Sequence, residues 1–297
     1  MASRNDDGPT GPDRNLPRPR AGTSAGARPF RARLVRIVSN AATFYLAIVG
    51  LLMFFENKLV FFPSKHPEGD WSPPGLTFED AWFTADDGTK LHGWYVPNAK
   101  PTAHILFCHG NAGNITHRAD LLRKLNGRCG AAVLLFDYRG YGRSEGTPSE
   151  TGVLADARAA RAWLAAKAGI SESEVVLMGE SLGGAVAVDL ATDGARGLIL
   201  ENTFTSVPDV AAHHYPWVPI RLLMRTQLNA REKIGQYHGP LLQTHGEADT
   251  IVPYALGRAL FDAANGPKRF YPVPGGDHND LRTPGWYAEI RKFLAEL

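Results

Sequence analysis

The chain has 297 residues, a formal net charge of +2 and 44% hydrophobic residues. That length exceeds the ~100–200 residues of an ordinary domain but suits one large α/β unit with an N-terminal attachment. The near balance of charge offers nothing to a nucleic acid or an acidic partner, and two cysteines exclude a disulfide-stapled scaffold.

In chain order, residues 1–33 carry Arg4, Arg14, Arg18, Arg20, Arg28, Arg31 and Arg33 among Gly, Pro, Ala and Ser. So little apolar surface cannot offset the entropy of ordering, and a disordered basic tail is expected. Residues 34–55, LVRIVSNAATFYLAIVGLLMFF, carry a single charge, Arg36 near the start. A helix needs about 20 apolar residues to cross a bilayer, so this stretch is read as a transmembrane anchor. Its core, Ala41 to Phe55, also suits a signal-peptide apolar region, but the following ENKLVFFP lacks a small-x-small cleavage pattern, which favours retention. The arginine excess on the N-terminal side predicts a cytoplasmic tail and a catalytic domain across the membrane.

Residues 59–297 read as that catalytic domain. Two alternating stretches over 78–96 flank a DDG turn, the pattern of an antiparallel hairpin at a sheet edge. Apolar strands follow over 103–108, 131–137, 174–179, 197–202, 240–245 and 268–273, with helical stretches near 117–126, 150–167, 182–192, 254–264 and 285–297. This alternation predicts an α/β fold with a mostly parallel sheet covered on both faces. Cys108 ends one strand and Cys129 precedes the next, so a strand length of ~16 Å should separate them, beyond the ~7 Å reach of a disulfide. Two free thiols are expected. Residues 203–239 form a connection longer than usual and are read as a small cap. Its Val207, Trp217, Val218, Ile220, Leu222, Leu223 and Met224 would line an acyl wall, touch the membrane or simply pack.

Three fragments carry chemistry, each directly after a predicted strand: GESLGG with Ser181, HGEADTIVP with Asp249 and GGDHND with His278. Serine is a weak nucleophile unless an imidazole takes its proton and a carboxylate holds that imidazole. The sharp strand-to-helix turn at Ser181 requires small neighbours, supplied by Gly179 and Gly183. In HGNAGN at 109–114 small residues let backbone amides approach a ligand, and the amides of Asn111 and Leu182 are assigned to an oxyanion hole, each donor worth ~3 kcal/mol in the transition state. Asp137 and Glu201 also end strands and rival Asp249; His213, His214 and His245 rival His278. His109 is expected to be structural. No spacing resembles a zinc set, so neither metal nor cofactor is expected.

Together HGNAGN, DYRGYGRSEG, GESLGGAVA, ENTF, HGEADTIVP and GGDHND resemble the α/β-hydrolase superfamily from about Leu59 to the C-terminus. They are most similar to its small membrane-anchored branch of bud-emergence-suppressor-like and α/β-hydrolase-domain proteins. The resemblance implies that Ser181 is acylated, His278 shuttles the proton and Asp249 orients it. The N-terminal cysteine cluster of the depalmitoylase members is absent. The expectation is a membrane-tethered serine hydrolase of a small-molecule acyl ester or thioester, with an aminopeptidase-type serine peptidase and a non-catalytic binding scaffold as alternatives.

Overall fold

Strands that are apolar on both sides must be covered on both faces, and the arrangement of this chain follows from that need. The computed structural model describes residues 27–297 together with positions 2, 8 and 11, so most of the tail expected over 1–33 lies outside the described residues. Two bodies are distinguished, residues 1–50 and residues 51–297. Helix α1 (Ala27–Phe54) begins ahead of the expected Leu34, since arginine is a good helix former and proline is tolerated in a first turn. Its 25-residue stretch Phe30–Phe54, which includes 18 residues with a mean hydropathy of 1.9, is long and apolar enough to cross a membrane.

The second body starts before the expected Leu59. Helix α2 (Glu56–Val60) and strand β1 (Phe62–Pro63) belong to it, and Val60 and Phe61 are buried in its core. The expected hairpin forms as β2 (Glu79–Thr84) and β3 (Lys90–Val96). Then come β4 (His104–Cys108), a short β5 (Ala112–Gly113) paired with β1, α3 (Ala119–Cys129) and β6 (Ala132–Asp137). Helix α4 (Glu150–Ala168), β7 (Val176–Glu180), α5 (Leu182–Ala191) and β8 (Gly197–Glu201) continue the alternation. After α6 (Val207–His214), α7 (Ile220–Leu223) and α8 (Ala230–Ile234), the chain closes with β9 (Leu241–Gly246), α9 (Tyr254–Ala263), β10 (Lys268–Val273) and α10 (Pro284–Glu296).

The main sheet has eight strands in the order β10-β9-β8-β7-β4-β6-β3-β2. The six from β10 to β6 are parallel, and the β2–β3 hairpin lies antiparallel at the edge. Side chains alternate strictly: Leu106, Cys108, Leu134, Phe136 and Leu177 point to one face with α4, α5, α8 and α9. Ile105, Phe107, Val133, Leu135 and Met178 point to the other with α3 and α10. After β6 the chain crosses β4 to reach β7, and the helices following β4 and β7 lie on opposite faces. A crevice therefore opens at the carboxyl ends of these two neighbouring strands.

Cys108 and Cys129 are free and buried, one in each core layer. Burial pushes their thiols up to about 12 and about 11 respectively. Within the region expected as a cap, 203–239, α8 buries Ala230 and Ile234 against the core. Val218 is buried, whereas Leu222 is 88% exposed, so the apolar residues of 207–224 do not form one inner wall.

Candidate active site

Ser181 stands between β7 and α5 with φ 52° and ψ −119°, a conformation non-glycine residues adopt only under constraint. The constraint is visible. Its amide donates to the Glu201 carbonyl at 2.8 Å, and its carbonyl accepts from Thr203 Oγ1 at 2.8 Å. A Cβ on Gly183 would run into the Cys108 and His109 carbonyls, and one on Gly179 into the Gly183 carbonyl. Only glycines let strand and helix meet this closely.

Asp249 and His278, on the loops after β9 and β10, are joined. His278 Nδ1 lies 2.8 Å from Asp249 Oδ2, and the Asp249 side chain is fully buried. Its Oδ1 accepts the amides of Ile251 at 2.9 Å and Val252 at 2.7 Å. Burial alone would raise this carboxyl, but hydrogen bonds from His245 and His278, the His278 charge and the Val252 amide outweigh it, holding Asp249 well below the usual carboxylate range. An ionised carboxylate only accepts, so His278 carries its hydrogen on Nδ1 and leaves Nε2 as the basic nitrogen. No hydrogen bond joins the Ser181 hydroxyl to His278 in this structure, as is common for unliganded sites.

Two residues hold His278 in place, and neither stood out in the sequence. Asn202, at φ 45°, donates from Nδ2 to the His278 carbonyl at 2.7 Å and accepts the Gly246 amide at 2.9 Å. Asp277 Oδ1 accepts the His278 amide at 2.8 Å and the Thr250 amide at 2.9 Å, linking the His278 loop to the Asp249 loop. The available signals were an asparagine at a strand end, where left-handed φ is tolerated, and the acidic residue beside His278.

In the loop after β4, the Asn111 carbonyl accepts from Tyr141 Oη at 2.7 Å and the Phe62 amide at 2.9 Å. The His109 carbonyl accepts from Tyr138 Oη at 3.1 Å. These carbonyls turn inward, and among the described residues the Asn111 amide has no acceptor. The Leu182 amide opens α5, where no intrahelical acceptor exists. Gly110 lies beside Ser181: a Cβ there would be 3.6 Å from Ser181 Cβ. His109 is fully buried with Nδ1 2.7 Å from the Gly110 carbonyl, and burial lowers it to about 3.

Of the rival residues only His245 reaches Asp249, at 3.4 Å. Asp137 is fully buried, accepts the Ile115 amide at 3.0 Å and is pushed by burial up to about 8. Glu201 lies 3.0 Å from Arg282 Nε. His245 Nε2 meets the Val252 carbonyl at 3.1 Å beside Asp249, and His213 and His214 are exposed on α6. Among the described residues no three His, Cys, Asp or Glu side chains converge to hold a metal.

Glu180, next to Ser181, organises a charge network that the sequence did not reveal. Its Oε1 accepts the Gly110 amide at 3.0 Å and Arg118 Nε and Nη2 at 2.9 and 2.6 Å. Arg282 Nη2 donates to its other oxygen. Burial raises this carboxyl, yet the charges of Arg118 and Arg282 prevail and hold it well below the ordinary range. The network thus ties the Ser181 turn to the Gly110 loop and to the segment after His278.

Residues 99–220 match a family model described as serine aminopeptidase, S33. The chain is 40% identical over 275 residues to Rv2307c of Mycobacterium tuberculosis, covering 90% of this chain and 96% of that one. It is 35% identical over 268 residues to the α/β-hydrolase domain-containing protein WAV2 of Arabidopsis thaliana, covering 81% and 86%. It is 33% identical over 262 residues to the membrane protein YNL320W of Saccharomyces cerevisiae, covering 84% and 92%. In fold it is similar to the Pyrococcus furiosus esterase Pf2001, with a TM-score of 0.67 at 18% identity over 80% of this chain and 97% of that one. With the parallel sheet, the crevice at its strand ends and the constrained serine turn, these likenesses lead to one assignment: the chain belongs to the α/β-hydrolase superfamily.

Proposed function

We propose that the chain is a membrane-tethered serine hydrolase that cleaves a carboxylic ester or thioester through a covalent acyl-enzyme. The observation that carries this reading is the constrained Ser181 turn on the same sheet edge as a His278–Asp249 pair 2.8 Å apart. His278 Nε2 takes the Ser181 proton as Oγ attacks the acyl carbon, while the amides of Asn111 and Leu182 receive the developing oxyanion. The imidazolium then protonates the leaving oxygen or sulfur. Water, deprotonated by the same nitrogen, hydrolyses the acyl-serine and restores the enzyme. Asp249, held ionised, stabilises the imidazolium.

The aminopeptidase description of the matching family model supports a second reading, cleavage of an N-terminal peptide bond. That chemistry needs a carboxylate for the substrate ammonium, and Glu180 and Glu201 are already engaged by Arg118 and Arg282. Esters and thioesters are therefore favoured. The membrane tether is supported by the apolar length of α1 and by the relative named as a membrane protein. The arginines ahead of α1 favour a topology with the catalytic unit across the membrane from the N-terminus.

A fluorophosphonate probe tests the reading. It should label the wild-type chain and fail on Ser181→Ala, and ester, thioester and aminoacyl-amide panels then rank the substrates. A wild-type chain that is folded by circular dichroism yet never labels would overturn the reading in favour of a binding scaffold.

A further inference from the structure

We propose that the hydrolase unit rests on the bilayer through α2 and α7, so that its crevice takes an acyl ester carried by a membrane lipid directly from the interface. This deepens the ester reading and rests on α1 being a membrane anchor.

The argument begins where the apolar helix ends. Residues 51–54 of α1 belong to the same body as the catalytic unit, and Phe55 alone separates them from α2. The first residue of α2, Glu56, is buried and accepts the Arg225 amide at 3.1 Å and the Thr226 amide at 2.6 Å. These amides lie just after α7, so that segment is bonded to the anchor's exit. At the other end of α2 the Val60 carbonyl accepts Asn111 Nδ2 at 3.0 Å, and the Phe62 amide donates to the Asn111 carbonyl at 2.9 Å. The loop assigned to the oxyanion is thus bonded to the same short helix.

Distance then decides the geometry. Five residues of helix rise ~8 Å, about the ~5–8 Å thickness of the interfacial layer on each side of the hydrocarbon core. The Asn111 loop and the 225–226 segment therefore lie within one interfacial layer of the point where the chain leaves the membrane.

The surface there has the chemistry of an interface rather than of a water-facing wall. Leu222 is 88% exposed, Leu59 51% and Phe62 49%. Lys58 and Arg225 are exposed beside them, placed to meet lipid phosphates while their stems lie along apolar surface; Arg221 is held by Asp209 at 2.9 Å. A lipid surface is the occupant because the patch continues covalently into the membrane-crossing helix. An ester at headgroup depth then reaches Ser181 without its acyl chain passing through water.

The test uses the full chain in phosphatidylcholine–phosphatidylglycerol vesicles. Retention after alkaline carbonate checks the anchor separately. A fluorophore on Leu222→Cys should be quenched by spin-labelled lipid and shielded from iodide. The same label on Ser173→Cys, ahead of the amino end of β7 and opposite the carboxyl end that leads to Ser181, should show the reverse. In parallel, Leu222→Glu should lower the ratio of vesicle-borne long-chain ester turnover to soluble short-chain ester turnover roughly ten-fold. If the chain resists carbonate but position 222 is as open to iodide as 173, or the ratio stays unchanged, the docking proposal is overturned and the anchor stands. If carbonate strips the chain from the vesicles, anchor and docking fall together, whereas fluorophosphonate labelling still reports on the hydrolase reading.

Discussion

Replacing Glu180 by glutamine removes a charge while keeping the side chain's shape, and the structure sets the size of the effect. Glu180 and Arg118 are each 13% exposed and Arg282 26%. Removing one partner from a fully buried ion pair costs about 3–5 kcal/mol, because the other charge is left uncompensated. Here glutamine still offers one acceptor oxygen, Arg282 keeps Glu201, and Arg118 keeps the Ala112 carbonyl at 3.0 Å. The residual exposure admits water, so the expected loss is about 2–3 kcal/mol. With a denaturant slope of roughly 2–3 kcal/mol/M, the urea midpoint should fall by about 1 M. Because Gly110 hangs on the same carboxylate, kcat should fall about ten-fold with KM little changed, the signature of weakened transition-state contacts. Arg118→Met combined with Glu180→Gln in a double-mutant cycle should give a coupling above ~1 kcal/mol. The Glu180 carboxyl sits below its ordinary value in the folded state, so its contribution is complete above the unfolded value near ~4.3 and is lost as pH falls through the lower folded one. The gap between wild type and variant should therefore narrow in acid. A midpoint within about 0.2 M of wild type with unchanged kcat would refute the positioning role.

Other consequences can be measured on the same preparations. The Asp137 carboxyl is raised by burial to about 8. Its contribution is therefore complete below the unfolded value near ~3.9 and is lost as pH rises through the folded one. Asp137→Asn should accordingly be the more stable protein at pH ~9, by about 1–3 kcal/mol in urea melts. It should keep activity within about threefold, because the carboxylate that meets His278 is Asp249; a folded but inactive Asp137→Asn would assign the acid role to Asp137 instead. Cys108 and Cys129, buried with raised thiols, should resist a disulfide-exchange reagent in the native chain and both react in guanidinium. Recovery of an internal disulfide would contradict their placement on opposite faces of the sheet.

Much of this architecture was legible because burial leaves a local periodicity. The six parallel strands and their helices were visible as apolar runs and stripes, and the glycines around Ser181 marked a turn that larger residues would block. Each of the three loops carrying Ser181, Asp249 and His278 was readable as the continuation of its own strand. What no local pattern contains is which distant groups meet. Asp137 and Glu201 end strands and Asp249 follows one, and only the strand order and loop geometry bring Asp249 to His278 at 2.8 Å while Glu201 turns to Arg282. The same holds for Glu180 with Arg118 and Arg282, joined across separations of 62 and 102 residues, and for Glu56 on the amides of Arg225 and Thr226. Composition and spacing specify what each segment can bury. The partner of a buried charge is chosen by the packed chain, where desolvation penalises every unpaired arrangement.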